Sequence, residues 1–378
     1  MRVLILKKGV ARIGGSESHA RTLARTLASR GHEVTIAGLR PPWRRAGLET
    51  DREFRDGAAR VVLLPTRLGP AGAAIDALFP TSLVDERALD ATVGDLDVVH
   101  CIAREYTRSG ERIARDRGAA YVETPLVHPG QPFAGTSASD LARYRRAHAI
   151  LALTEWERDW YRMYGVDPAR VHVCGVGPIL DAAPVGNAEP ATVLFVGRRE
   201  RYKGYLALAA AARLVWRRRP DARFVIIGQR AWHAPLTDRA VPRRDPRWFD
   251  RGTADEHTKA RAYASCTIFC MPSRHETFGQ TYLEAWLARR PVIAGDIPPV
   301  REVVDDAGVL VRQDPREIAD AIVGLLNDPR RARELGHRGY DRARTHYSWE
   351  AVAKRVEDAY AAAMALSTSS DGRAASME

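Results

Sequence analysis

Within the first 37 residues a strand, a glycine turn, a helix and a second strand follow one another, and this order constrains the fold more than any other feature of the chain. Val3-Leu4-Ile5-Leu6 is a short apolar run with strand character. Gly14-Gly15 supply a turn and Ser16 is placed to cap a helix, which runs to about Arg30 with Ala20, Leu23, Ala24 and Leu27 on one face. Gly31 is placed to end that helix, and Val34-Thr35-Ile36-Ala37 resumes a strand. Such a unit joins parallel strands by a right-handed crossover. Further strand candidates are Val61-Val62-Leu63-Leu64, Val98-Val99-His100, Ala120-Tyr121-Val122 and Ile150-Leu151-Ala152-Leu153. Helical patterns between several of them give a Rossmann-like sheet.

The pattern breaks into glycine-, proline- and alanine-rich sequence between Gly175 and Pro190, and a second α/β series begins after it. Its strands are Val193-Leu194-Phe195-Val196, Phe224-Val225-Ile226-Ile227, Thr267-Ile268-Phe269-Cys270 and Pro291-Val292-Ile293-Ala294. A helix from about Lys203 carries Leu206, Ala209, Ala210 and Leu214 on one face. The sequence from Gln229 to Gly252 has no period and is left unassigned. The expected organisation is α/β: a Rossmann-like domain over 1–175, a linker over 176–190, and a second Rossmann-like domain over 191–347. A helix over 348–366 and a small, polar, disordered tail over 367–378 follow. In open α/β sheets ligands bind beyond the carboxyl ends of the strands, so two such halves place a cleft between them.

Composition narrows the classes. A length of 378 residues exceeds one ordinary core. With no run of about 18 apolar residues, no membrane-spanning helix is expected. The chain enters its first strand without the parts of a secretory signal. Cys101, Cys174, Cys266 and Cys270 lack paired metal-ligand spacing, and the last two read as a buried strand. The expectation is a reduced, cytoplasmic protein. The net charge of +11 comes from scattered arginines with no interleaved aromatics, which excludes a nucleic-acid groove. It suits phosphorylated substrates, and leaves a peripheral contact with an anionic membrane open. Oligomeric state is open too.

Two stretches carry chemistry. The first runs from Pro272 to Glu284, leaving a buried strand and entering a helix that contains Leu283, Ala285 and Leu287. Phe278-Gly279 lie at the helix start, where unpaired N–H groups and the dipole favour a phosphate, and glycine lets it approach the backbone. Glu276 precedes the helix, where a carboxylate can hold sugar hydroxyls. Glu284 lies just over one turn in, within reach of a ribose diol. Two glutamates alone would read as solvated charges. The second stretch, Gly197 to Gly204, follows the first strand of the second half. Its Arg198 and Lys203 can neutralise a diphosphate, whose charge grows as it departs. Both stretches lie at the same sheet edge.

Together these residues resemble family 4 of the retaining glycosyltransferases, which have the GT-B fold. The resemblance rests on Gly14-Gly15-Ser16-Glu17, on Gly197-Arg198 with Lys203-Gly204, and on Glu276 with Glu284 eight positions later. It extends to the segments from Gly295 to Glu302 and from Gly308 to Val311. It implies a donor site in the second domain, an acceptor side in the first, and a C-terminal helix that crosses back onto the first domain. Arg198 and Lys203 would bind the donor diphosphate, Glu276 the transferred sugar and Glu284 the ribose. Thr277 and the backbone of Phe278-Gly279-Gln280-Thr281 would hold phosphate and sugar, and the Gly14-Gly15 turn would meet the donor. His128 matches the position where relatives carry a histidine beside the reacting sugar, whereas His100 is assigned a structural role. Thr277 stands where many relatives have glycine and Gln280 where an aliphatic residue is frequent. Gly228-Gln229-Arg230 lacks a second glycine often found there.

The implied reaction moves a sugar from a nucleoside diphosphate of the uridine or guanosine type to an acceptor hydroxyl with retention. No permanently bound cofactor is expected. No Asp-x-Asp metal motif lies in a suitable place, so metal-independent activity is predicted. The alternatives are an epimerase on the same fold and a nucleotide-sugar-binding protein without turnover. A nicotinamide oxidoreductase is disfavoured, because the first turn lacks Gly-x-Gly-x-x-Gly. The acceptor surface would draw on the loops from Arg40 to Ala46 and Gly69 to Pro80, which carry no decodable motif; sugars, lipids and small molecules all remain candidates.

Overall fold

The computed structural model of the chain describes residues 1–10, 15–41, 51–69, 71–72, 83–129, 135–180, 186, 188–189, 191–230 and 238–375. The chain divides into two compact units, Met1–Val176 with Trp349–Glu378, and Gly177–Ser348. Among the described residues, no helix is long and apolar enough to cross a membrane. Gly14, part of the 176–190 segment and much of the two acceptor-side loops lie outside the described residues.

The first unit contains β1 (Arg2–Leu6), α1 (Gly15–Ser29), β2 (Glu33–Leu39), β3 (Glu53–Asp56), β4 (Ala59–Leu64), α2 (Glu86–Asp90) and β5 (Val98–Ile102). It continues with α3 (Thr107–Asp116), β6 (Ala120–Thr124), α4 (Ala138–Arg146), β7 (Ala149–Ala152), α5 (Glu155–Met163) and β8 (Val171–Val173). The sheet order is β3-β4-β2-β1-β5-β6-β7-β8, and every pairing is parallel except that of β3 with β4. Parallel strands with helices on both faces bury both sides, so apolar residues run unbroken along them. In β1, Val3 and Ile5 join the core shared with Ala20, Leu23, Ala24 and Leu27 of α1, while Leu4 and Leu6 join the core on the other face. Gly31, at φ +91°, ends α1, because a residue with a β-carbon is strained there.

The second unit contains β9 (Thr192–Val196), α6 (Tyr205–Arg218), β10 (Arg223–Ile227), β11 (Trp248–Asp250), α7 (Glu256–Ser265) and β12 (Ile268–Met271). After these come α8 (Gln280–Leu287), β13 (Val292–Gly295), α9 (Pro298–Val304), β14 (Gly308–Val311), α10 (Pro315–Asn327) and α11 (Pro329–His346). The order is β11-β10-β9-β12-β13-β14, parallel throughout. The chain crosses from β9 outward to β11 and then returns to β12, so the strand order reverses beside β9. That reversal is the topological switch point at which open α/β sheets bind ligands.

The last helix, α12 (Trp349–Ala375), belongs to the first unit. Its Val352, Ala353, Val356, Ala359, Tyr360 and Ala363 share the core with α1. The Tyr360 hydroxyl lies 2.7 Å from Nδ1 of His100, whose Nε2 lies 2.7 Å from the Thr124 hydroxyl. Burial, with His19 nearby, pushes the His100 pKa down to about 3, so its ring is neutral and can give one bond and take the other. His100 thus fastens α12 to β5 and β6.

The structure departs from the sequence reading in four places. Helix α12 runs to Ala375, where the sequence reading ends it at 366 and begins a disordered tail; adding a residue to an existing helix fixes one residue for one hydrogen bond, and the hydroxyls of Ser367 and Thr368 bond back to Met364. In α6 the buried face is Tyr205, Leu208, Ala209, Ala212, Val215 and Trp216, turned from the expected one because the aromatic and β-branched residues take the interior. β11 lies in the unassigned 229–252 stretch, with one buried residue, Trp248, and hence no readable alternation. The short edge strands β3 and β8 also lack an apolar run.

Tyr360→Phe leaves a buried ring nitrogen of His100 without a partner. It is expected to destabilise the first unit by about 1–3 kcal/mol, seen as a lower melting temperature.

Candidate functional site

The carboxyl ends of β9, β10, β12 and β13 meet with almost no room between their loops. A β-carbon on Gly228 would lie 1.8 Å from the carbonyl oxygen of Gly197, and one on Gly295 would lie 1.7 Å from that of Ser273. One on Gly204, at φ +83°, would lie 2.5 Å from that of Pro272. Cross-links hold these loops together. The Tyr202 carbonyl accepts the Arg274 N–H at 2.8 Å, and the Gln313 amide donates to Tyr202 O at 3.2 Å and to Pro272 O at 3.0 Å.

This packing brings the two chemistry-bearing stretches together. Lys203 ends a short 3₁₀ turn after β9, and its ammonium donates to Oε1 of Glu276 on the loop after β12. The Ser273 hydroxyl donates to the same oxygen at 3.3 Å. Both partners are largely buried, with side-chain exposures of 16% and 7%, so the pair is screened by little water. Arg198 is 63% exposed; it pairs with Glu200 at 3.3 Å and donates to the Tyr202 hydroxyl.

Helix α8 starts at Gly279, at φ +95°, with no side-chain cap. Phe278 is buried against Tyr347, Gln280 donates to Gly177 O at 2.7 Å, and the Thr281 hydroxyl turns back to Met271 Sδ at 3.6 Å. The side chains at 278, 280 and 281 therefore serve the protein, and what they leave toward a ligand is backbone N–H. Thr277 is half-buried beside them.

Glu284 lies one turn into α8 and is buried. Oε2 accepts the Tyr263 hydroxyl at 2.6 Å, while Oε1 has no hydrogen-bond donor among the described residues. Burial pushes its carboxyl up to about 7, with Tyr263, Lys259 and the Ile179 backbone tempering the rise. Such an oxygen can accept a ligand hydroxyl, although Oε2 of Glu105, Glu123 and Glu256 is likewise buried without a donor among the described residues.

The sequence reading missed several participants. Arg199 is fully buried and holds Asp250 of β11 through two 2.5 Å contacts. Burial pushes the Asp250 carboxyl up, but Arg199 and the Gly252 N–H outweigh it and hold it below its usual range. Tyr202, Tyr263, Ser273 and Gln313 were missed as well. Tyr263 and Gln313 meet partners on distant segments, which spacing along the chain does not mark, whereas Tyr202 and Ser273 meet Arg198 and Glu276 of their own stretches.

Gly15 and His128 belong to the first unit. Gly15 is the first residue of α1, and His128 is half-exposed beyond the carboxyl end of β6, shortly after Leu126 at φ +56°. In the same unit, Lys7 is buried after β1 and paired with Glu17 at 3.3 Å and Glu105 at 3.8 Å. Among the described residues no group of three or more His, Cys, Asp or Glu is arranged to hold a metal ion.

Two Rossmann-like sheets, one with a helix start and a paired cation and carboxylate at its switch point, form an architecture suited to a phosphorylated ligand. The model of the family described as "Glycosyl transferases group 1" matches residues 190–328, and that described as "Glycosyl transferase 4-like domain" matches residues 14–177. The chain belongs to the group 1 glycosyltransferases, enzymes of the GT-B fold. It is 30% identical over 249 residues to the alpha-maltose-1-phosphate synthase of Mycolicibacterium smegmatis, covering 57% of this chain and 63% of that protein's length. It is 29% identical over 382 residues to the phosphatidyl-myo-inositol mannosyltransferase of the same organism, covering 92% of this chain and 90% of the relative. The sucrose-phosphate synthase structure from Thermosynechococcus elongatus superposes with a TM-score of 0.76 at 21% identity, over 97% of this chain and 99% of that one, a likeness of fold.

A methyl group at Gly295 has no space against the Ser273 backbone. Gly295→Ala is expected to destabilise the second unit by roughly 2 kcal/mol or more, read as a drop in its melting temperature.

Proposed function

We propose that the protein is a retaining glycosyltransferase that transfers a sugar from a nucleoside diphosphate of the uridine or guanosine type to an acceptor hydroxyl, without a metal ion. The observation that carries this reading is the meeting of Lys203 with Glu276 just before α8, near a buried Glu284 whose Oε1 has no donor among the described residues. A nucleoside diphosphate sugar needs a cation for its phosphates, an acceptor for its sugar hydroxyls and an acceptor for its ribose diol. One edge of one sheet supplies all three.

In this reading the diphosphate takes Lys203 from Glu276, and the released carboxylate accepts hydroxyls of the sugar. Arg198, Lys203 and the N–H groups at the start of α8 stabilise the charge that grows on the diphosphate as its bond to the anomeric carbon breaks. The acceptor oxygen bonds to that carbon on the same face, and the departing phosphate oxygen takes the acceptor's proton. With its oxygens on the sugar hydroxyls and the Ser273 hydroxyl, Glu276 is not assigned as the nucleophile of a two-step displacement. Gly14, Gly15 and His128 are assigned to the donor and the reacting sugar by the family resemblance. The net charge of +11 favours a phosphorylated acceptor, a class to which the phosphatidylinositol in the mannosyltransferase's name belongs. Four free, buried cysteines suit the reducing cytoplasm.

The first test is thermal shift with UDP, GDP and their sugars, with and without chelator. A shift selective for one base and unaffected by chelation is expected, and Lys203→Ala should lose most of it. Shifts that vanish on chelation would overturn metal independence, and no shift at about millimolar nucleotide would overturn the donor site. Retention is read from the anomeric proton coupling of the product.

Donor binding should also follow pH. Below about 7 the Glu284 carboxyl is protonated, and the ribose diol loses a carboxylate acceptor. Donor affinity is expected to weaken by up to about tenfold per pH unit below 7, and Glu284→Gln should flatten the profile. Calorimetric titration between pH 5.5 and 8 checks this.

A further inference from the structure

We propose that Tyr202 is a positioning residue of the donor site, whose phenol ring and hydroxyl hold Arg198 and Lys203 ready for a diphosphate. This rests on the donor-site reading above.

Tyr202 stands between the two cations in sequence and in space. Its ring centroid lies 5.6 Å from Cζ of Arg198 and 5.4 Å from Nζ of Lys203, both within the range of attraction between a cation and an aromatic face. Its hydroxyl accepts a hydrogen bond from the Arg198 guanidinium. Its carbonyl is fixed from the other side by the Arg274 N–H and the Gln313 amide, so the ring stands on an anchored stretch of backbone. His275, on the loop that carries Glu276, lies against it with ring centroids 6.4 Å apart.

The chemistry of the partner matters. The Arg198 side chain is 63% exposed, and its other contact here is Glu200 at 3.3 Å. A carboxylate orients a guanidinium but neutralises it, and that pairing must be given up when a phosphate arrives. A neutral phenol orients the same cation and leaves its charge available. Burial pushes the Tyr202 pKa up to about 12, so the phenol stays neutral and its proton is free for a phosphate oxygen. Bringing two cations together before the anion arrives is unfavourable, and the electron-rich ring face offsets part of that repulsion. The donor then meets both cations already held beside one ring, and displaces Glu276 from Lys203 as it binds.

The test is calorimetric titration of UDP, GDP and inorganic pyrophosphate into wild type, Tyr202→Phe, Tyr202→Leu, Arg198→Ala, Lys203→Ala and the Tyr202→Phe/Arg198→Ala pair, with melting curves for each. Tyr202→Leu is expected to weaken binding of the preferred diphosphate by about tenfold, and Tyr202→Phe, which keeps the ring, by about threefold. Because the hydroxyl acts through Arg198, Tyr202→Phe should have no further effect in the Arg198→Ala background. A merely structural tyrosine would give losses that multiply and follow the melting temperature. Multiplying losses, or wild-type affinity in a folded Tyr202→Leu, would overturn the inference alone. If wild type bound none of the three ligands, or Lys203→Ala bound them as wild type does, the donor-site reading would fall and the role of Tyr202 with it.

Discussion

Three places where backbone passes backbone, with no room for a methyl group, govern the second unit. Gly228 faces the Gly197 carbonyl, Gly295 that of Ser273 and Gly204 that of Pro272. Each contact draws two loops at the carboxyl edge of the sheet closer than side chains would permit. The ammonium of one loop consequently lies on the carboxylate of another, and the Tyr202 carbonyl takes an N–H from the segment that carries Glu276. Loops held this way cannot drift apart when a ligand enters, which is what a site that stabilises moving charge requires.

Burial of charge does not by itself mark a functional group, and this edge contains the contrast. Arg199 and Asp250 are joined at two points, and the Gly252 N–H adds a third bond to the carboxylate. That pair ties the β9 loop to β11. Breaking it would strand a charge in the interior, which costs far more than the intact pair contributes. Glu284 is as deeply buried, but its Oε1 has no donor among the described residues, and burial pushes its carboxyl up to about 7. The difference lies in the paired charge: Arg199 also keeps a buried Nε without an acceptor among the described residues, yet it meets an opposite charge at two points.

The first unit uses polar residues in its core for assembly. Neutral His100 joins two strands to the last helix, and His19, lowered to about 4 by burial with Lys7 adding to the effect, lies against Trp349 at the start of that helix. A segment from the end of the chain thereby completes the core formed by its beginning. Arg30 strengthens the join through two 2.7 Å bonds to Glu357 of α12.

The sequence by itself determined the α/β class and the alternation of β1, α1 and β2, and it marked Arg198, Lys203, Glu276 and Glu284 as candidates. Unbroken apolar runs, a helical face and a terminal glycine are local signals, and a family motif keeps its spacing along the chain. Tertiary structure alone decided the rest. β3, β8 and β11 are edge strands too short to show alternation, and the orientation of α6 was set by which bulky residues the core accepted. The length of α12 depended on a helix already anchored, which polar residues at its end then extended. Tyr263, Arg199 and Gln313 took their roles from partners on distant elements. Their pairings are fixed by which strand ends become neighbours, and strand order is a property of the packed sheet rather than of any segment within it.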